Sequence, residues 1–182
     1  MKELIFRCDD VSANTDFSKL YRMYFAIKEK FPEAKIISAV SLFSKKSKAE
    51  SIYPETPFRG KPIEYLYDID AFLKSIPLFI LDNEIASHGL IHLDHGDLSY
   101  EMQELSIVVS CNYLQTKMFA APFNTYNKDT IKICVANDIE LLDQREWKSM
   151  EFNEFNTKFP RWSFHAWNYT ADIFNSVLKK GE

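Results

Sequence analysis

Leu4-Ile5-Phe6-Arg7-Cys8-Asp9-Asp10 opens the 182-residue chain with an apolar run that stops on two adjacent carboxylates. The run reads as a short buried strand. Two carboxylates side by side at a strand end repel each other, and a divalent cation is a common way of holding such a pair. A turn cluster or a helix start is the other reading, because Ser12, Asn14 and Thr15 follow closely.

Outward from this stretch the same alternation recurs. Phe17, Leu20, Tyr21, Tyr24, Ile27 and Phe31 lie at helical spacing, with Thr15 or Asp16 as the cap and Pro32 as the stop. Residues 36–43 read as a second strand, and residues 44–62, rich in Lys, Ser and Pro, as a polar surface loop. A helix is predicted over 65–76, an apolar run over 78–81 and a strand over 84–87. Leu98, Met102, Leu105, Val109 and Tyr113 mark a long helix whose wet side carries Glu101 and Glu104. Residues 117–121, 139–142 and 161–165 read as strands, and 130–136 and 170–180 as helices. Strands alternating with helices predict an α/β fold with a largely parallel sheet. No repeat, low-complexity tract or linker divides residues 1–182, so one domain is expected.

Composition removes several functions. Hydrophobic residues make up 46% of the chain and aromatics 15%, which supplies a core and excludes disorder as the main state. A formal charge of −4 argues against a nucleic-acid partner. The four glycines fall in no G-x-G-x-x-G or Walker spacing, which removes the usual nucleotide cradles. Cys8, Cys111 and Cys134 are odd in number and far apart, so reduced buried thiols are expected rather than a disulfide framework. No apolar run reaches the ~18 residues of a membrane span, and charges come too early for a signal-peptide apolar region. A cytoplasmic protein is the expectation.

The chemically able side chains cluster at the ends of the expected strands, which in parallel α/β architectures line the active site. Asp9 and Asp10 end the first, His88 and His92 follow the strand at 84–87, and Pro122-Phe123-Asn124 follow the next. Asp143 and His165 end the last two. Two imidazoles four apart, joined by a carboxylate from elsewhere, can make a metal site with open positions, although capping or surface histidines are the plainer reading. One Asp could then ligate while the other acts as a base. His165, among Trp162, Phe164 and Trp167, reads either as a packed core residue or as a general acid. His95, with Asp94 and Asp97, reads as a solvated loop beside a helix cap, and Arg145-Glu146-Trp147 as a surface pair beside a packed indole.

In this order the motifs resemble those of the polysaccharide deacetylase superfamily, the family 4 carbohydrate esterases, over nearly the whole chain. Arg7-Cys8-Asp9-Asp10 resembles Thr-Phe-Asp-Asp. His88-Gly89-Leu90-Ile91-His92 matches His-[Ser/Thr]-x-x-His with Gly89 in the hydroxyl position. Ala120-Ala121-Pro122-Phe123 is similar to Arg-x-Pro-Phe/Tyr, residues 143–147 to Asp-x-x-Asp-Trp, and Ser163-Phe164-His165 to Leu-x-His. The resemblance implies a distorted or shortened (β/α) barrel of about seven strands. It implies Asp10, His88 and His92 as ligands of a divalent metal, zinc first, with Co, Ni, Fe or Mn suited to the same donors. Asp9 would be the base toward a metal-activated water, and His165 the acid toward the departing amine. Oxyanion and substrate contacts would come from Pro122, Phe123, Asn124, Trp147 and Trp167. The implied reaction removes an N-acetyl group from a sugar or polysaccharide precursor; a non-catalytic relative that binds a glycan or a protein is the alternative. Ala120 stands where the family has an arginine that orients the catalytic aspartate, and Arg145, beside Asp143, or Arg7 could take that part. Ser163 stands at a position linked to the acetyl pocket.

Overall fold

The structure is a computed structural model that describes residues 3–42 and 69–180. The loop expected at 44–62 and the start of the helix expected at 65–76 lie outside the described residues. In chain order the elements are β1 (Ile5–Val11), α1 (Phe17–Lys30), β2 (Lys35–Val40), α2 (Ile69–Ser75), α3 (Leu78–Leu81) and β3 (Glu84–Ser87). There follow α4 (Tyr100–Tyr113), β4 (Met118–Phe119), α5 (Lys128–Ala136), β5 (Glu140–Leu141), β6 (Lys148–Ser149), β7 (Arg161–His165) and α6 (Ala171–Lys180). All seven strands are parallel, in the order β5-β4-β3-β2-β1-β7-β6, curled into a half-barrel. This is the shortened barrel expected, with β1 and β2 near its middle.

Side-chain alternation sorts the sheet into two faces. Phe6, Cys8, Ile36, Trp162 and Phe164 pack outward against Leu20, Met23 and Ile27 of α1 and Phe174 and Leu178 of α6. The opposite register of the same strands faces the inside of the curl, where Ile37, Ala39, Ala86, Ala120, Leu142 and Trp147 cluster. Three alanines at this level leave room there for larger polar groups. Arg7 and Asp9 occupy the same register, both buried.

Several boundaries move. β1 continues past Cys8 through an irregularity in its pairing with β2 and ends at Val11. β2 stops at Val40, because Ser41 and Leu42 turn aside to bond Val11 and Gly89 carbonyls. β4 and β5 are two-residue pairings, and β6 is too short to leave an alternation in the sequence. In α4 the buried face differs from the stripe expected. Leu105 and Tyr113 are exposed, whereas Gln103, Ser106 and Ser110 are buried. Hydrogen bonds decide this: Ser110 Oγ lies 2.5 Å from Ser87 Oγ, Ser106 Oγ accepts from Leu90 N, and Gln103 Oε1 accepts from Thr130. The three cysteines are free and buried, as expected.

The turn after β3 requires glycine. Gly89 has φ +86°, and a Cβ there would stand 3.0 Å from Ile91 O and 3.1 Å from Ser106 Oγ. Left-handed backbone costs an L-residue roughly 1–2 kcal/mol before any clash is counted. Gly89→Ala is therefore expected to lower stability by at least about that much, read as a fall in the urea midpoint at unchanged slope.

Candidate metal centre and its acid–base neighbours

The site begins with a backbone distortion. Consecutive residues of a regular strand point to opposite faces, so Asp9 and Asp10 would be separated by the sheet. Asp10 instead has φ 63°, inside the stretch where β1 loses register with β2. Aspartate tolerates this conformation better than most residues. Asp9 keeps the inward register, while Asp10 turns its carboxylate to the two histidines that follow β3.

Asp10 Oδ1 lies 3.2 Å from His88 Nε2 and 2.8 Å from His92 Nε2. Among the described residues this is the group of three whose donor atoms could hold a metal, all within 4.8 Å of one another. The His88 ring is set from behind: its Nδ1 is 2.7 Å from Ala120 O. A carbonyl only accepts, so Nδ1 carries the proton and Nε2 of a neutral ring presents its lone pair. Oδ1 itself is buried and has no partner in proper hydrogen-bond alignment, despite the two close nitrogens. An imidazole lone pair facing a carboxylate oxygen calls for a positive charge between them. Burial works to raise the Asp10 pKa, but the contacts with His88 and His92 outweigh it and hold the carboxyl well below the usual range. Two imidazoles and a carboxylate fit a divalent transition metal with open positions.

Asp9 is locked beside this cluster. Arg7 Nε and Nη2 reach its two oxygens at 2.7 and 2.8 Å, with both side chains buried. The guanidinium lies 4.9 Å from the Trp147 ring and bonds Asn124 Oδ1 at 3.2 Å. On the neighbouring strand β7, level with Asp9, His165 is anchored by Glu151, whose Oε1 accepts from His165 N at 2.7 Å and lies 3.2 Å from Nδ1. Ser149 Oγ donates to the other Glu151 oxygen. His165 Nε2 then faces Asp10 Oδ2 at 3.7 Å. Burial opposes the imidazolium, but Glu151, Asp10 and Asp9 outweigh it and raise the His165 pKa. Burial likewise works to raise Glu151, yet its bonds to His165 and Ser149 bring it down to about 2.

Neither a protein-family model nor a curated protein matches the sequence. Solved structures do match. A family 4 carbohydrate esterase from Streptomyces lividans in complex with acetate covers 98% of this chain and 87% of its own, with a TM-score of 0.62 at 9% identity. The peptidoglycan deacetylase PdaC from Bacillus subtilis covers 98% and 83%, with a TM-score of 0.60 at 13% identity. The chain has the fold of the family 4 carbohydrate esterases. A family 4 pseudoenzyme from Bacillus anthracis also shares it, at TM-score 0.60 and 11% identity, and there the match spans 98% of this chain but 60% of that one.

Within this family 4 fold the other expected site residues divide. Phe123, at φ 54°, sets its ring 4.3 Å from His92 in an edge contact. Trp167 is 62% exposed and donates from Nε1 to Asp10 Oδ2 at 3.2 Å. Pro122 is buried, and Asn124 gives its side-chain oxygen to Arg7. Trp147 corrects the substrate contact that the resemblance implied and agrees with the packed-indole reading: it is 7% exposed inside the curl, where it underlies Arg7. Arg145 is a second correction, because it pairs with Asp143 at the surface, and the arginine on Asp9 is Arg7. His95 is a third. It is fully buried between Leu93 O and Ser106 Oγ, and burial lowers its pKa to about 4. Glu151 escaped the sequence reading, since a lone Glu in a polar stretch carries no spacing signal.

Two outcomes follow from these charges. Arg7→Met leaves Asp9 buried without a counter-ion and is expected to cost about 3–5 kcal/mol, measured by urea denaturation. In metal-free protein, NMR titration should find His165 above the usual imidazole value, and Glu151→Gln should bring it down. A depressed carboxyl contributes stability that is lost as pH falls below 4.5 toward about 2. A raised imidazole contributes stability that is lost as pH rises above 6.5 and through its folded value. The stability gap between wild type and Glu151→Gln should therefore be widest between these two pH values.

Proposed function

We propose that this protein is a metal-dependent hydrolase that removes an N-acetyl group from a sugar or polysaccharide. The observation that carries the reading is Asp10 Oδ1 set between two imidazole Nε2 atoms, with His88 Nδ1 committed to a backbone carbonyl. A divalent cation held by Asp10, His88 and His92, zinc first and Co, Ni, Fe or Mn by the same donors, would supply Lewis acidity to a water and to the acyl oxygen.

The chain's own residues supply the rest. Asp9 is fixed in orientation by the Arg7 fork, and each of its oxygens keeps a lone-pair direction beyond the one given to Arg7. It takes the proton from the attacking water. His165, with Nδ1 on Glu151 and a pKa above the ordinary imidazole value, is the acid that delivers a proton to the departing amine. Phe123 packs edge-on against the His92 ring and steadies that imidazole. Peptidoglycan and N-acetylglucosamine appear as substrates among the solved proteins of this fold, which supports an N-acetylated glycan here.

A non-catalytic binding protein is the second reading, favoured by the pseudoenzyme among the fold relatives and by Ala120 at the usual arginine position. One experiment separates the two. Protein reloaded with zinc or cobalt should release acetate from a panel of N-acetylated sugars, and a chelator should stop it. Asp9→Asn should lose at least about a hundredfold in rate while still holding metal, and Asp10→Ala should lose the metal. Metal bound without acetate release across the panel establishes the binding reading. Absence of bound metal in the wild type overturns both.

A further inference from the structure

Trp167 lies outside every strand and helix expected from the sequence, yet its indole N–H reaches the carboxylate on which the proposed metal site is centred. It lies in a 3-10 turn, Ala166–Asn168, directly after His165 at the end of β7. Nε1 donates to Asp10 Oδ2 at 3.2 Å, and the ring centroid is 5.2 Å from that of His165. The two oxygens of Asp10 are thereby assigned different work. Oδ2 is turned to Trp167 and His165, whereas Oδ1 is turned to His88 and His92. The rest of the indole is open. Of the three tryptophans, Trp147 and Trp162 are buried and Trp167 is the exposed one. An exposed indole at the mouth of a polar site offers an apolar face to the C–H side of a pyranose ring, while its N–H stays committed to the site.

Resting on the hydrolase reading above, we propose that Trp167 is a positioning residue for Asp10, raising metal affinity through its N–H, and that its exposed face is the platform for an N-acetylated sugar ring. Two variants separate the two contributions. Trp167→Phe keeps an aromatic face and removes the N–H, while Trp167→Ala removes both. Because Trp167 is the exposed tryptophan, quenching by a short N-acetylglucosamine oligomer should be seen in wild type and lost in both variants, so sugar binding is read by calorimetry instead. Zinc affinity is read by competition with a chromophoric chelator, and folding by circular dichroism.

Trp167→Phe is expected to weaken zinc binding by roughly tenfold or more, the usual scale for a partner behind a ligand, with oligomer binding retained. Trp167→Ala should weaken both. Zinc affinity in Trp167→Phe equal to wild type overturns the positioning role, and oligomer binding unchanged in Trp167→Ala overturns the platform. Either result leaves metal-dependent acetate release by the wild type standing, whereas a wild type without zinc affinity overturns this proposal together with the hydrolase reading.

Discussion

The left-handed backbone at Asp10 is the constraint from which the site is built. A regular strand would place adjacent aspartates on opposite faces of the sheet, and one of them would be buried among the helices. The loss of register between Cys8 and Val11 turns Asp10 toward the rim, while Asp9 keeps its inward position. Such a conformation costs an L-residue about 1–2 kcal/mol, and strain of this kind is found where surrounding contacts hold it. Here the contacts are His88 and His92 from the loop after β3 and Trp167 from the turn after β7.

The inside of the curl is arranged around a second charge problem. Asp9 and Arg7 are both removed from water, and a buried ion pair is seldom a net source of stability compared with an apolar filling. Its benefit is orientation. A planar guanidinium that engages both carboxylate oxygens leaves little rotational freedom. Ala39, Ala86 and Ala120 are small where Arg7 must fit, and Trp147 provides a flat surface beneath it. Ala120, small on the inner face, and Arg7 are thus parts of one arrangement, in which the guanidinium on Asp9 comes from β1.

Polar contacts also set the loops that carry the histidines. The buried face of α4 presents Gln103, Ser106 and Ser110 to the turn at Gly89, to His95 and to the α5 cap. This explains why apolar residues such as Leu105 are left outside. On the far rim, two-residue β6 has little core of its own, yet it carries the chain from Trp147 to Glu151 and so to His165. Glu151 and His165 hold each other's charge, so His165 depends on a single pairing much as Asp9 depends on Arg7.

Much of this could be read along the chain. Strand–helix alternation predicted an α/β fold with a largely parallel sheet, the family resemblance implied the shortened barrel, and β7 was expected at its observed residues. Spacing marked His88 and His92 as a pair that a carboxylate at another strand end could complete, and the family resemblance implied Asp10 as that carboxylate. His95 was misplaced, and Trp147 and Arg145 each carried a packed or surface reading beside a site reading, since exposure of such a side chain depends on what the fold packs against it. The sequence by itself determined the fold class, the strand ends that bear chemistry and the identity of the candidate ligands. Tertiary structure alone decided which arginine holds Asp9, which carboxylate holds His165 and which oxygen of Asp10 faces the imidazoles. These contacts, whether two residues apart within β1 or between segments distant in sequence, depend on register, backbone torsion and burial, none of which leaves a periodic trace.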